Sequence, residues 1–162
     1  MKIRTLPSTQ LGDRMLDESL DFQSPELQSA LQLWNSKSKA DALPARGDFS
    51  HEDLAPFMGN IALINVENQP VRYQFRLIGT NITSIVKRDQ TNEYLDEIYD
   101  DDALKNVVRS FDYILENRRP IRAFGNVSRA KKGHLNGEVI DGPLATDGQT
   151  VDIIIKFVKW TR

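Results

Sequence analysis

Two arginines, Arg46 and Arg76, carry the side chains best suited to holding a charged group in this chain. A guanidinium presents a fixed fork of donors that matches a carboxylate. Asp48, Asp53 and Asp89 are the acids that could receive that fork internally, and the anionic end of a ligand is the alternative partner. His51 and His134 are the only histidines. A haem iron needs an axial ligand inside a cleft. His51 lies in a polar run and His134 in a glycine-flanked turn, which disfavours haem. Asp100-Asp101-Asp102 resembles a cation site in composition, but it lacks the glycine and terminal glutamate of a calcium loop. Three acids ahead of a helix suit its dipole instead, so no metal is expected. No triad signature, phosphate loop or HExxH motif is present, and no nucleophile is paired with a base. The expectation is a non-catalytic protein with no catalytic residue to assign.

Composition narrows the class further. The 162 residues carry a net charge of -2, which provides no electrostatic case for nucleic acid or an anionic membrane. The absence of cysteine excludes disulfides, thiol nucleophiles and a cysteinyl flavin adduct. The first residues hold no apolar signal core, and no run is long enough to span a bilayer. A cytoplasmic protein without membrane insertion is the expectation.

These side chains need elements to position them. Val71, Tyr73, Phe75 and Leu77 alternate with polar residues as in a half-buried strand. The rhythm breaks at Gly79-Thr80, and Ile82, Ile85 and Val86 follow at helical spacing. Gly79 is expected to adopt a positive φ or to approach neighbouring backbone closely. Thr80 is expected to cap the helix, and Arg88-Asp89 to close the turn. Upstream, Leu11, Met15 and Leu16 hint at a short helix. Ser24-Pro25-Glu26 opens a better one over 25–39, with Leu27, Ala30, Leu31 and Trp34 on one stripe. Ile61 to Val66 reads as a strand joined by a hairpin to the one at Tyr73. A long helix follows the acidic triplet, with Val107, Phe111 and Ile114 on its apolar face and Pro120 as its stop. Strands are expected over 121–129, 134–140 and 151–160, the last apolar on both faces and therefore central. Residues 1–23 read as an extension and 24–160 as one domain. Hairpins separated by helices favour an α+β antiparallel sheet with helices on one face.

Particular residues sharpen this order. Trp34, Leu43-Pro44-Ala45-Arg46-Gly47-Asp48-Phe49, Asp53-Leu54, Tyr73, Phe75-Arg76-Leu77-Ile78-Gly79-Thr80 and Arg88-Asp89 resemble a bacterial family of small PAS-like domains. Pro143-Leu144 and Asp147-Gly148 also fit, while His51, Lys87 and Asn92 depart from the family pattern. The resemblance implies a PAS-like, five-stranded antiparallel sheet with a helical cover and the N-terminal helix beside it. It implies a sensory or regulatory module, with a cleft between sheet and helices for a small apolar or amphipathic ligand. The walls of that cleft would be Tyr73, Phe75, Leu77, Ile82, Ile85, Val107, Phe111, Ile114, Phe124, Val139, Ile153 and Ile155. Arg46 or Arg76 would hold one anionic end. A tightly packed core would use the same residues, which leaves a ligand-free interaction domain as the alternative. The identity of any cofactor is left open. Signals would leave through a homodimer or a protein partner, with Leu27, Leu31 and Trp34 as candidate contacts.

Overall fold

The computed structural model describes residues 14–86, 89–127 and 135–161, with only the backbone of residues 85, 86, 126, 127 and 135. Arg88, Lys87, Leu11, His134 and the expected turn at residues 131–133 lie outside the described residues, as does the side chain of Ile85. In chain order the elements are β1 (Arg14–Asp17), α1 (Pro25–Lys37), α2 (His51–Leu54), β2 (Ile61–Glu67), β3 (Arg72–Ile78), α3 (Thr80–Val86), α4 (Leu95–Ile98), α5 (Asp101–Asn117), β4 (Ile121–Val127), β5 (Leu135–Leu144) and β6 (Ile153–Thr161). Short 3-10 turns stand before and after α2, at Arg46–Asp48 and Ala55–Phe57.

Local chemistry explains the helix ends. Ser24 accepts from Leu27 N at the start of α1, and Pro25 occupies the first turn, where its missing N–H costs nothing. Ser50 and Asp53 exchange backbone and side-chain bonds around α2. Asp100 accepts from Ala103 N and opens α5. The helix ends where Arg118 turns left-handed and donates its N–H to Ile114 O. Asn92 likewise takes a positive φ of 71°, a conformation a short amide side chain tolerates.

All strand pairs are antiparallel, in the order β1-β4-β5-β6-β2-β3. The sheet thus has six strands where five were expected. The sixth is β1, whose Met15 and Leu16 pair with Phe124 and Ala123 instead of forming a helix. β6 lies in the centre, and Ile153, Ile154, Ile155, Phe157 and Val158 are buried on both of its faces.

Strand alternation assigns the two faces. α5 covers the face bearing Tyr73, Phe75, Ile64 and Lys156, and the Lys156 ammonium stands 5.1 Å over the Phe111 ring. α1 covers the other face. Trp34 packs against Gly142 so closely that a Cβ there would lie 2.9 Å from its ring, and its indole N–H donates to Pro143 O. Phe57 meets Phe157 edge-on at 5.0 Å on this same side. The core is therefore two layers separated by the sheet. Leu27, Ala30 and Trp34 are buried against the chain's own sheet and Leu31 packs beside them, so this stripe is occupied within the chain itself.

Candidate functional site

Beneath α5 the apolar layer holds a group of polar side chains drawn from distant parts of the chain. Arg14 projects inward from β1, Asp141 from β5 and Lys156 from β6. Asp141 is fully buried, with Lys156 Nζ 2.8 Å from one carboxylate oxygen and Arg14 Nη2 3.8 Å from the other. Neither oxygen receives a well-aligned hydrogen bond, so charge alone compensates it. Arg14 also donates to Val107 O at 3.1 Å and to the buried Ser110 hydroxyl at 3.3 Å, both on α5. Arg109 of α5 donates back to Arg14 O at 2.8 Å. Nearby, Tyr99 donates to Gln90 Oε1 at 3.4 Å, and the Gln90 side-chain nitrogen is buried without a partner.

The electrostatics follow from burial. Desolvation holds the Lys156 ammonium below its ordinary range; Asp141 opposes that shift and Arg14 reinforces it. Desolvation also lowers the Arg14 guanidinium, again against the pull of Asp141. Two largely buried cations thus face one fully buried carboxylate. Removing one partner from such a cluster costs about 3–5 kcal/mol, because it strands the remaining charge.

Several expected wall residues do line this layer. Phe111 and Ile114 are fully buried under α5, and Tyr73 and Phe75 face them from β3. The Tyr73 ring lies 5.2 Å from Phe111, and its hydroxyl donates to Asp112 at 2.7 Å. Burial and that hydrogen bond push the Tyr73 hydroxyl well above its usual range. Val107 and Ile82 pack at the margin of the core. Val139 shares the α5 face by its pairing with Ala123 and Val158.

Four expected wall residues lie elsewhere. Ile153 and Ile155 point to the α1 face, because β6 is apolar on both sides and alternates with Ile154 and Lys156. Phe124 is on the outer face of β4, with the Arg122 guanidinium 4.4 Å over its ring. Leu77 is turned out by a β-bulge. Leu63 pairs with Leu77 and Ile64 with Phe75, which leaves Arg76 unpaired between them. One extra residue reverses the face of everything beyond it, so Leu77 is 46% exposed instead of joining Phe75.

Neither arginine is in the α5 layer, and among the described residues neither is bound to an acid. Arg46 donates to Phe49 O at 3.2 Å, and Arg76 is exposed at the bulge. The acids considered for them have other partners. Asp48 accepts from Ala45 N and Asp89 from Thr91, while Asp53 pairs with Lys37 at 3.1 Å. Arg46, Leu77, Gly79 and Thr80 come together at one depression on the α1 face. Gly79 is needed there for a close approach and not for a positive φ: a Cβ would stand 2.3 Å from Gly59 O. Thr80 does not cap α3. Gly59 O takes the Asn81 N–H at 2.9 Å, and Gly79 O begins the helical ladder.

Arg14, Asp141, Lys156, Ser110 and Gln90 were not singled out by spacing. A signal for two of them existed: Lys156 interrupts Ile153-Ile154-Ile155 and Phe157-Val158, and Asp141 interrupts Ile140 and Gly142-Pro143-Leu144. A charge inside a strand buried on both faces needs a partner.

No curated protein matches the chain. The family model described as PAS domain matches residues 22–157, from just before α1 into β6. The sheet order and the helical layer on it fit that match, and the chain belongs to the PAS domain family.

Proposed function

We propose that this protein is a non-catalytic regulatory module that takes up a small, largely apolar ligand with one anionic end in the layer between the sheet and α5. The observation that supports the reading is the charge balance beneath α5, where among the described residues Asp141 is the carboxylate that faces both Arg14 and Lys156. An anionic ligand end would compensate the surplus positive charge, and the apolar walls would hold the rest. Ligand sites are commonly apolar with a few convergent polar groups.

The route outward runs through β1. Its alternation sends Arg14 into the charged cluster and Met15 to the outside, where it pairs across strands with Phe124. Both apolar side chains are exposed, Met15 at 58% and Phe124 at 36%. A ligand that re-pairs Arg14 would shift β1 and alter this outer surface, to which a second copy or a protein partner would bind. In this reading β1 and residues 24–160 together form the sensing module in the cytoplasm, with β1 as its adjustable edge strand. Among the described residues no helix is long and apolar enough to cross a membrane.

The test is native mass spectrometry on the purified wild type and on Lys156→Met, with circular dichroism to establish that the variant is folded. The expected result is a small molecule retained by the wild type and lost from the variant. Light scattering of Met15→Glu should then show weaker self-association than the wild type. An empty wild type, or a folded Lys156→Met that keeps the molecule, would leave the interaction-domain reading in its place.

A further inference from the structure

We infer that a second small-molecule site lies on the opposite face of the sheet, between the 46–59 segment and the end of β3, and that it takes a small amphipathic carboxylate. The site is a half-open depression of about 530 Å³, within the size range of pockets that hold small ligands. It does not share the α5 layer, because the sheet stands between them: Leu63 and Leu77 pair on this side, whereas Ile64, Phe75 and Lys156 face α5.

The apolar part of the depression is an arrangement the fold had to make. Ile61 and Leu63 form a buried floor. Leu77 reaches it only because Arg76 is bulged out of the β3 ladder; in unbroken register Leu77 would follow Phe75 into the core. Bulges recur next to functional sites because they re-aim a side chain in this way. Met58, 60% exposed, stands at the same depression. Two large apolar side chains thus line one concave surface in contact with water.

The polar part carries one fixed charge, that of Arg46. Among the described residues, Arg46 and His51 line the depression and no acid does. A guanidinium has five N–H donors, and Arg46 uses one of them, to Phe49 O. Asp48 and Asp53, two of the acids close by in sequence, are held by Ala45 N and by Ser50 N with Lys37. The remaining donors of Arg46 suit the planar, bidentate geometry of a carboxylate. The rim is rigid, because the Gly59 and Gly79 backbones are in close contact and Gly59 O is bonded to Asn81 N. A cation fork at one end of a fixed apolar concavity selects a ligand with a carboxylate head and a short hydrocarbon body.

The experiment is an NMR titration of the isotope-labelled full chain with sodium octanoate, with 1-octanol as the uncharged control. Octanoate should shift the amides of Met58, Gly59, Leu77 and Thr80 in a saturable manner. Octanol should bind about tenfold more weakly or worse, since a charge-assisted hydrogen bond contributes at least that factor. Arg46→Gln should weaken octanoate binding by about the same factor. Leu77→Glu keeps the inference testable if Arg46→Gln loosens the Phe49 turn, because Leu77 is half exposed and its replacement leaves the core intact; it should abolish the shifts. Lys156→Met, on the other face, should leave the affinity unchanged. Equal binding of octanol, shifts confined to α5 and β6, or full binding by Leu77→Glu would each overturn the assignment. The interior site proposed above is tested separately by its own retained ligand and by Lys156→Met.

Discussion

At the scale of single residues, two positions show how close contact and burial act on chemistry that looks ordinary in sequence. Gly79 opens a strand-to-helix junction, where glycine usually supplies backbone freedom. Here its φ is not in the left-handed region, and what excludes a side chain is Gly59 O, 2.3 Å from where a Cβ would sit. The atom in the way is backbone that also accepts from Asn81 N, so it cannot yield cheaply. Gly79→Ala should destabilise the protein by about 2 kcal/mol or more, within or above the overpacking range. Urea denaturation checks this, and a midpoint equal to that of the wild type would remove the close-approach explanation. Tyr73 shows the other effect. It is an expected wall residue of the cleft, but its hydroxyl is already donated to Asp112.

At the scale of elements, β1 has the most to do for its length. Four residues form an edge strand that would hold weakly by its ladder alone. Arg14 adds bonds to two α5 groups and faces Asp141, and Arg122 pairs with Asp17 at 3.1 Å on the other face. The strand is therefore tied from both sides by charged groups. Arg14→Met should raise hydrogen exchange at residues 14–17 by about tenfold or more while β6 stays protected, as expected of a local opening instead of global unfolding. Unchanged protection in the variant would mean that the backbone ladder suffices. α1 is the contrasting element. Its stripe of Leu27, Ala30 and Trp34 is covered by the sheet, which removes it from the surfaces open to a partner and leaves Met15 and Phe124 as exposed apolar neighbours.

At the scale of the whole molecule, the buried cluster links folding to pH. In the unfolded chain Lys156 titrates near the ordinary lysine value of 10.5; in the folded protein burial holds it lower. Below the depressed value both states carry the proton, and the cost of burying the charge is present in full. Between the depressed value and 10.5 the unfolded chain binds the proton more tightly, so stability from this group rises with pH. The urea midpoint of the wild type should therefore rise relative to that of Lys156→Met as the pH is taken from about 7 to about 10. A constant difference between the two would show that Lys156 is not perturbed by its surroundings.

The sequence by itself determined what local forces decide. Ser24, Ser50 and Asp100 mark the starts of the helices that follow them, because each serves backbone N–H groups within a few residues. The apolar faces of α1 and α5, the hairpin from β2 to β3 and the central place of β6 were all legible from periodicity. The motif residues around Arg46 and Gly79 carried the family. Tertiary structure alone decided the face of each strand and the company of each charge. A strand apolar on both sides, such as β6, has no alternation to show which side Ile153 and Ile155 take. The single bulged Arg76 reverses Leu77 without any mark in composition. The charged cluster joins residues 14, 141 and 156, and Arg14 lies in a segment that reads as an extension. Such a cluster depends on strand register across the whole sheet, a long-range quantity that no local window of sequence contains.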